Sequence, residues 1–488
     1  ALEGLEGATI YDGCAEPDCA YGCALFQAVR PTNQGKHART IIGCVSSADN
    51  NPKQDPTPTS HEGNAADWSL SRATAHAPGA PLVTIIGDGQ LARMMQQEAI
   101  ELGLSARVLA SNADASAAQV SADVVLGDYT NEAHVREVSE GAAAVTFDHE
   151  HVPNAFLDGL IDAGINVQPQ PSALINAQDK LVMRERLSDL GAPIPRFVAV
   201  ESVEDASEFW DATGGNVCLK ARRGGYDGKG VWFPDTAEEN ADLVKELLDR
   251  GVPMMAEEKV QLVRELSAMV ARTPSGDVAA WPVVESVQER GICVEAVAPA
   301  PATVEGHDDV LDEARELSQK IATELGVTGV LAVELFESVD GTGQPVISVN
   351  ELAMRPHNTG HWTQNGCVTS QFEQHLRAVL DRPLGSTALT APTTVMANIL
   401  GNDDADPAEP MHQRMDTVWR RFPEAKIHLY GKDWRPRRKI GHVNMSLAVN
   451  EVGADGVPTK EAVETLRRNA RLAAGYLEQA QWADGWEA

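Results

Sequence analysis

Positive charge is scarce in this chain: Lys and Arg total 40 against 71 Asp and Glu, a formal net charge of −31. So acidic a surface repels phosphodiester backbones and anionic headgroups, which argues against general binding to nucleic acid or membranes. A phosphorylated ligand must instead meet a local cluster of basic side chains. Long apolar runs are also lacking, since none approaches the ~20 residues that span a bilayer. The N-terminal residues do not follow the basic-then-apolar order of a secretory signal, and the expectation is a cytoplasmic protein. Cysteine is sparse and uneven, with Cys14, Cys19, Cys23 and Cys44 early and Cys218, Cys293 and Cys367 scattered singly. The early four contain no CxxC pair, so they are poor zinc ligands, and a disulfide framework is not expected in a chain this long.

The 488 residues suggest three domains at ~150 residues each. A composition 43% hydrophobic and 23% charged is that of a globular chain. Residues 1–80 read differently. They contain no Met, and the stretch from Asn50 to Ser60 offers no apolar face of either period. Such composition cannot offset ordering entropy, so this segment is expected to be a disordered extension.

From Pro81 the texture changes to alternating strands and helices. Leu82-Val83-Thr84-Ile85-Ile86 is a β-rich run followed by a helix that closes near Gly103. Further strand-like runs at 106–110, 123–126, 143–147 and 165–167 predict a βαβ series with a parallel sheet. One helix is predicted from Ser172 to Leu190, then an α+β region to about residue 380, and a final helix from Lys460 to about Leu477.

Gly87-Asp88-Gly89-Gln90-Leu91-Ala92 lies between a strand and a helix, where a dinucleotide fingerprint would lie. The acid that should end the next strand is missing from Leu109-Ala110-Ser111-Asn112, so NAD is not expected. A tight turn or an anion site of another kind is the better reading.

Lys220-Ala221-Arg222-Arg223-Gly224-Gly225-Tyr226-Asp227-Gly228-Lys229-Gly230-Val231 carries four glycines in seven positions and four basic residues. Bare backbone N–H groups beside Lys and Arg are what a polyphosphate needs, because each oxygen demands a close donor. The bland alternative is a glycine-rich hairpin with a solvated tip.

Two strands around the Asp340-Gly341-Thr342-Gly343 turn each place one carboxylate, Glu334 and Glu351, in an apolar run. Unpaired burial of both would be prohibitive, and Mg²⁺ between phosphates resolves it, with Asn350 as a further oxygen ligand. The following segment, Arg355 to Gly366, is dense in polar groups, Gly and Pro, as an active-site loop tends to be. Its Arg could clamp a small carboxylate; a polar surface loop is the alternative. Late in the chain, Lys432 to Lys439 holds five cations in eight positions, either a phosphate clamp or a solvated face.

Taken together, these segments resemble the ATP-grasp superfamily and, within it, the 5-(carboxyamino)imidazole ribonucleotide synthases of purine biosynthesis. The resemblance runs from about Pro81 to near the C-terminus and is most specific at Arg355-Pro356-His357-Asn358-Thr359-Gly360-His361-Trp362-Thr363-Gln364-Asn365-Gly366. It implies an α/β and α+β fold of three domains: a Rossmann-like pre-ATP-grasp domain at 81–177, a two-lobed ATP-grasp domain at 178–385 and a small C-terminal domain at 386–488. The implied reaction joins ATP, bicarbonate and 5-aminoimidazole ribonucleotide through carboxyphosphate, in a cytoplasmic homodimer using Mg²⁺ but neither biotin nor NAD.

By motif position, the resemblance assigns Lys180 and Lys220 to ATP, with Gly225, Tyr226, Asp227, Gly228, Lys229 and Gly230 as a lid leading to Val231. Glu257-Glu258-Lys259-Val260 would read the adenine edge, Glu265 the ribose, and Gln288 and Asn350 would lie near the nucleotide. Glu334 and Glu351 would hold Mg²⁺. Arg355 and His357 would position bicarbonate or carboxyphosphate. The ribonucleotide would meet Gln90, Glu150, Tyr226, Asp227, Asn358 and Thr359, with Lys432, Arg435, Arg438 and Lys439 for its phosphate. Three positions depart from the usual pattern: Gln288 for a His, Asp148 for a Glu and Met354 for a Pro. The alternatives are another ATP-grasp ligase, such as formate-dependent glycinamide ribonucleotide transformylase, and a nucleotide-binding scaffold with a degenerate site.

Overall fold

The computed structural model describes residues 76–224, 230–302, 309–448, 451–453 and 457–486, together with three short backbone segments before them. The chain divides into two compact units, Ala1–Leu70 and Ser71–Ala488. In the first, strands Ile10–Tyr11, Leu25–Ala28 and Arg39–Ile41 pair antiparallel. The readings of Cys14, Cys19, Cys23 and Cys44 fall outside the described residues, as do those of Gly225, Tyr226, Asp227, Gly228 and Lys229.

In the second unit, the five residues Leu82–Ile86 are all buried. A strand apolar on both faces must be covered on both, which is the signature of a parallel sheet. The sheet is parallel throughout, in the order 123–126, 105–110, 82–86, 144–147. The predicted strand at 165–167 survives only as a single parallel bridge from Val167 to Val145. Because Leu82–Ile86 has its sequence successor on one side and Ala144–Phe147 on the other, a crevice opens beyond their carboxyl ends, where open α/β sheets bind ligands.

The single helix predicted from Ser172 to Leu190 is in fact two, Pro171–Gln178 and Lys180–Asp189. Asp179 breaks it, with extended backbone and a carboxylate that caps the second helix by accepting from the Leu181 and Val182 amides. The same carboxylate receives Arg222 Nη2 at 2.9 Å and Arg223 Nε at 3.0 Å, tying the base of the glycine-rich loop to the helix start.

A small lobe follows: four antiparallel strands in the order 231–232, 217–221, 254–258, 197–200, covered by helices Val203–Thr213 and Ala237–Asp249. The hairpin predicted around the glycine loop is present, with Val231 opposite Lys220. The large lobe is a nine-stranded sheet that does not stop at residue 385. Strand Ile292–Ala298 pairs with Thr394–Leu400, and 439–446 and 426–429 complete the sheet. One hydrophobic core runs from Ile86 and Phe147 to Val333 and Leu352, so the parallel sheet and the large lobe pack as one body. The final helix, predicted from Lys460, spans Lys460–Gln479 and packs its Ala470, Ala473 and Leu477 against the C-terminal strands.

Candidate active site

Between the small lobe, the large sheet and the ends of the parallel strands lies a cavity of about 1290 Å³. Its floor is the hairpin of strands 329–339 and 345–353, where the register sets Glu334 directly opposite Glu351. Like charges facing across a sheet repel unless cations intervene. Here Lys180 Nζ lies 2.6 Å from Glu351 and His357 Nε2 donates to Glu334 at 3.1 Å. Asn350 Nδ2 reaches the other Glu334 oxygen at 3.4 Å. Burial pushes the Glu334 carboxyl up, but the His357 bond and charge, then Lys180 and Lys439, outweigh it and hold the group below its ordinary range. At Glu265 the balance reverses: burial and the Glu334 charge outweigh the Lys220 charge and push it up to about 7.

Among the described residues no three His, Cys, Asp or Glu side chains form a complete metal cage. Two facing carboxylates and one amide are an open oxygen set, which fits a hard cation that completes its shell with phosphate oxygens and water.

On the small lobe, Lys220 reaches into the same cavity, its Nζ 2.6 Å from Glu257 Oε2 and 3.3 Å from Asn350 Oδ1. Glu258, Lys259 and Val260 line the cavity beside it, as do Val231 and Gln288. Glu257 lines it too, but both of its carboxylate oxygens are already engaged by protein cations, so its side chain is not free to read a base. Gln288 donates to Ser286 Oγ at 2.9 Å.

At the far end, the crevice of the parallel sheet contributes Gln90 and Glu150. Arg355 Nε donates to Glu150 Oε2 at 2.9 Å, and although burial lowers the Arg355 pKa, Glu150 outweighs it and raises it. Asp148 is buried and accepts from the Gly89 amide at 2.6 Å; burial pushes its carboxyl up. Gly87, at φ +130°, packs so closely on this carboxylate that a Cβ there would overlap it. The glycine loop that resembles a dinucleotide fingerprint is therefore clasped by Asp148, whose carboxylate fills the space beside Gly87 and Gly89. Asn358, 9% exposed, lines the cavity with both side-chain polar atoms lacking a hydrogen-bond partner, as a ligand-reading amide would.

Not every candidate residue meets the cavity. Thr359 is buried behind it, bonded to His357 Nδ1 at 2.9 Å and donating to Ser267 Oγ at 2.7 Å, so it orients His357. Lys439 lines the wall, and Lys432 bonds Gln90 from behind. Arg435 is exposed, and Arg438 Nη1 turns to the Asp433 carbonyl at 3.1 Å, so neither lines the cavity. Gly230 also lies off the lining.

The polar segment read as one active-site loop is divided. Arg355, His357 and Asn358 face the cavity, whereas His361 and Trp362 are fully buried against the C-terminal strands. There Asn444 Nδ2 donates to the His361 carbonyl at 3.0 Å and to Asn365 at 2.9 Å. Sequence reasoning passed over Arg184, whose side chain is fully buried at the back of the site. An Arg within a helix carries no signal that separates this position from a solvated one.

Three family models match in the order of this architecture: the ribonucleotide synthetase preATP-grasp domain over 81–178, the ATP-grasp domain over 185–372, and the phosphoribosylaminoimidazole carboxylase C-terminal domain over 394–452. These define an ATP-grasp protein. The N5-carboxyaminoimidazole ribonucleotide synthase of Corynebacterium ammoniagenes is 61% identical over 418 residues, 85% of this chain and 96% of that one. That of Mycobacterium leprae is 52% identical over 421 residues, 84% of this chain and 92% of the relative. The chain belongs to the N5-carboxyaminoimidazole ribonucleotide synthase family. The crystal structure of the synthetase from Thermus thermophilus superposes with TM-score 0.68 at 33% identity, covering 83% of this chain and all of that one. That of the Aspergillus clavatus synthase in complex with ADP and 5-aminoimidazole ribonucleotide gives 0.69 at 28% identity, covering 81% and 99%.

Proposed function

We propose that this chain carboxylates 5-aminoimidazole ribonucleotide at its exocyclic amine, using ATP and bicarbonate and releasing ADP and phosphate. The observation that carries the reading is the single cavity in which Lys180, Lys220 and the Glu334–Glu351 pair face Arg355, His357 and Asn358. Lysines and an open carboxylate pair, with His357 bonded to that pair and Arg355 beyond it, suit transfer of a phosphoryl group to a small anion.

In this reading Lys180 and Lys220 hold the phosphates of ATP, and Arg355 and His357 hold bicarbonate in line with the γ-phosphorus. A bicarbonate oxygen attacks, the bond to ADP breaks, and carboxyphosphate forms. The amine then attacks the carboxyl carbon, phosphate leaves and the amine gives up a proton. Glu334 and Glu351, with Asn350, would hold Mg²⁺, which when bound neutralises charge on the transferring phosphoryl group. Glu150, Gln90 and Asn358 are assigned to the ribonucleotide, with Lys432 and Lys439 nearest its phosphate. Glu265 is assigned to the ribose hydroxyls, and the backbone of 257–260 to the adenine.

We divide the chain functionally at 81–177, 178–385 and 386–488, and assign it to the cytoplasm as a homodimer. A monomer mass in solution would remove the last assignment.

The test is ADP release with Mg²⁺, ATP and bicarbonate, with and without the ribonucleotide, for wild type and Glu351→Ala. Stimulation by the ribonucleotide that the variant loses is the expected result. Release indifferent to the ribonucleotide would point to another acceptor, and no release at all to a degenerate site.

A further inference from the structure

Arg184 lies on the helix Lys180–Asp189 with its side chain 0% exposed. Its Nε donates to Glu257 Oε1 at 2.6 Å, and its Nη2 donates to the backbone carbonyl of Asn350 at 2.7 Å. The second Glu257 oxygen receives Lys220 Nζ at 2.6 Å, and that ammonium also reaches the Asn350 side chain at 3.3 Å. The four residues thus close a ring. It links the helix that leaves the parallel-sheet domain, two strands of the small lobe, and the strand that carries Glu351.

The charges in this ring decide what Lys220 can offer. A buried carboxylate with a single ammonium partner forms a neutral pair, and an incoming phosphate would meet little net field. Here one carboxylate is shared by two cations, so the group carries a net charge of about +1. Of the two cations, Lys220 lines the cavity and Arg184 does not. We propose that Arg184 is a positioning residue for nucleotide binding: by occupying one oxygen of Glu257, it lets that carboxylate fix Lys220 in place without cancelling its charge. The proposal rests on the reading that Lys220 meets the phosphates of ATP, and it adds a residue that touches no substrate.

The experiment is calorimetric titration of the whole protein with ADP and with adenosine. The variants are Arg184→Met, Glu257→Gln, the double variant and Lys220→Met. Adenosine reports the base and ribose site without phosphates, so the ratio of the two affinities isolates the field of Lys220. Arg184→Met should weaken ADP roughly tenfold while adenosine changes less than about twofold, the scale of one charge-assisted contact. The double variant should recover most of the ADP affinity, because the amide that replaces the Glu257 carboxylate no longer neutralises Lys220.

A merely structural role predicts parallel losses for ADP and adenosine and a double variant no better than the single, and that result would overturn the proposal. If Arg184→Met does not fold, Arg184→Gln, which keeps hydrogen-bonding groups but not the charge, takes its place. A fall in the ratio of ADP to adenosine affinity supports the proposal, and an unchanged ratio refutes it. A ratio that collapses in Lys220→Met and stays unchanged in Arg184→Met refutes this inference alone. A ratio unchanged in Lys220→Met removes the reading of Lys220 beneath it.

Discussion

Glu334 and Glu351 stand directly opposite one another on adjacent antiparallel strands, with a bulge immediately after Glu334. Two carboxylates in that register are unfavourable for folding alone. Their pairing with His357 and Lys180 offsets that repulsion, and leaves carboxylate oxygens facing the cavity. Such a local cost, incurred where the chemistry needs it, is typical of functional sites.

The same crowding has a measurable consequence at Glu265, pushed up to about 7 by burial and by Glu334. A carboxyl whose folded pKa exceeds its unfolded value binds protons on folding. Its penalty therefore begins above pH 4.5, is complete by about pH 7 and persists at higher pH. Glu265→Gln should raise the melting temperature of the ligand-free protein at pH 8 by about 1–2 °C, with the gain vanishing toward pH 4.5. Melting curves across that range check it, and an equal gain at every pH would rule out titration as the cause.

His375 is a fully buried tie between the parallel sheet and the large lobe. The Val330 amide donates to its Nδ1 at 3.0 Å, so the proton sits on Nε2, which donates to Thr146 Oγ1 at 2.7 Å. Burial lowers its pKa to about 3. Above pH 6.5 the ring is neutral in both states and its titration contributes nothing. Below it the unfolded chain gains a proton that the folded one refuses, costing about 1.4 kcal/mol per pH unit until about pH 3. Thr146→Val should cost about 1–3 kcal/mol at neutral pH by stranding the Nε2 proton. Urea denaturation at pH 7.5 and 5.5 tests both, and His375→Gln should flatten the acid slope.

Lys432 sits against Gln90 with its ammonium lowered to about 8, first by burial and then by the Arg438 charge. If it serves the substrate phosphate, it is charged below pH 8 and neutral above. The KM for the ribonucleotide should then rise through pH 8 while the KM for ATP does not. Lys432→Arg should remove that rise, because a guanidinium stays charged. A ribonucleotide KM flat from pH 7 to 9.5 in wild type would remove Lys432 from the phosphate site.

The sequence by itself determined most of the elements, though not the break at Asp179 or the loss of the strand at 165–167. The alternation of short apolar runs with helical segments made the strands of 82–147 parallel, and turn residues placed the hairpins at 217–232 and 329–353. One Glu in each strand of the second hairpin made the facing carboxylates legible, because period and turn chemistry are local properties of the chain. Partnership across the fold was not legible. Arg184, Asp179 and His375 look like ordinary helical or capping residues until folding brings Glu257, Arg222 and Val330 beside them. Their roles come from burial, which makes each charge or ring nitrogen seek one specific partner. The same holds for 355–366, a single polar stretch in the chain. Only its packing sends Arg355, His357 and Asn358 to the cavity and His361 and Trp362 into the core.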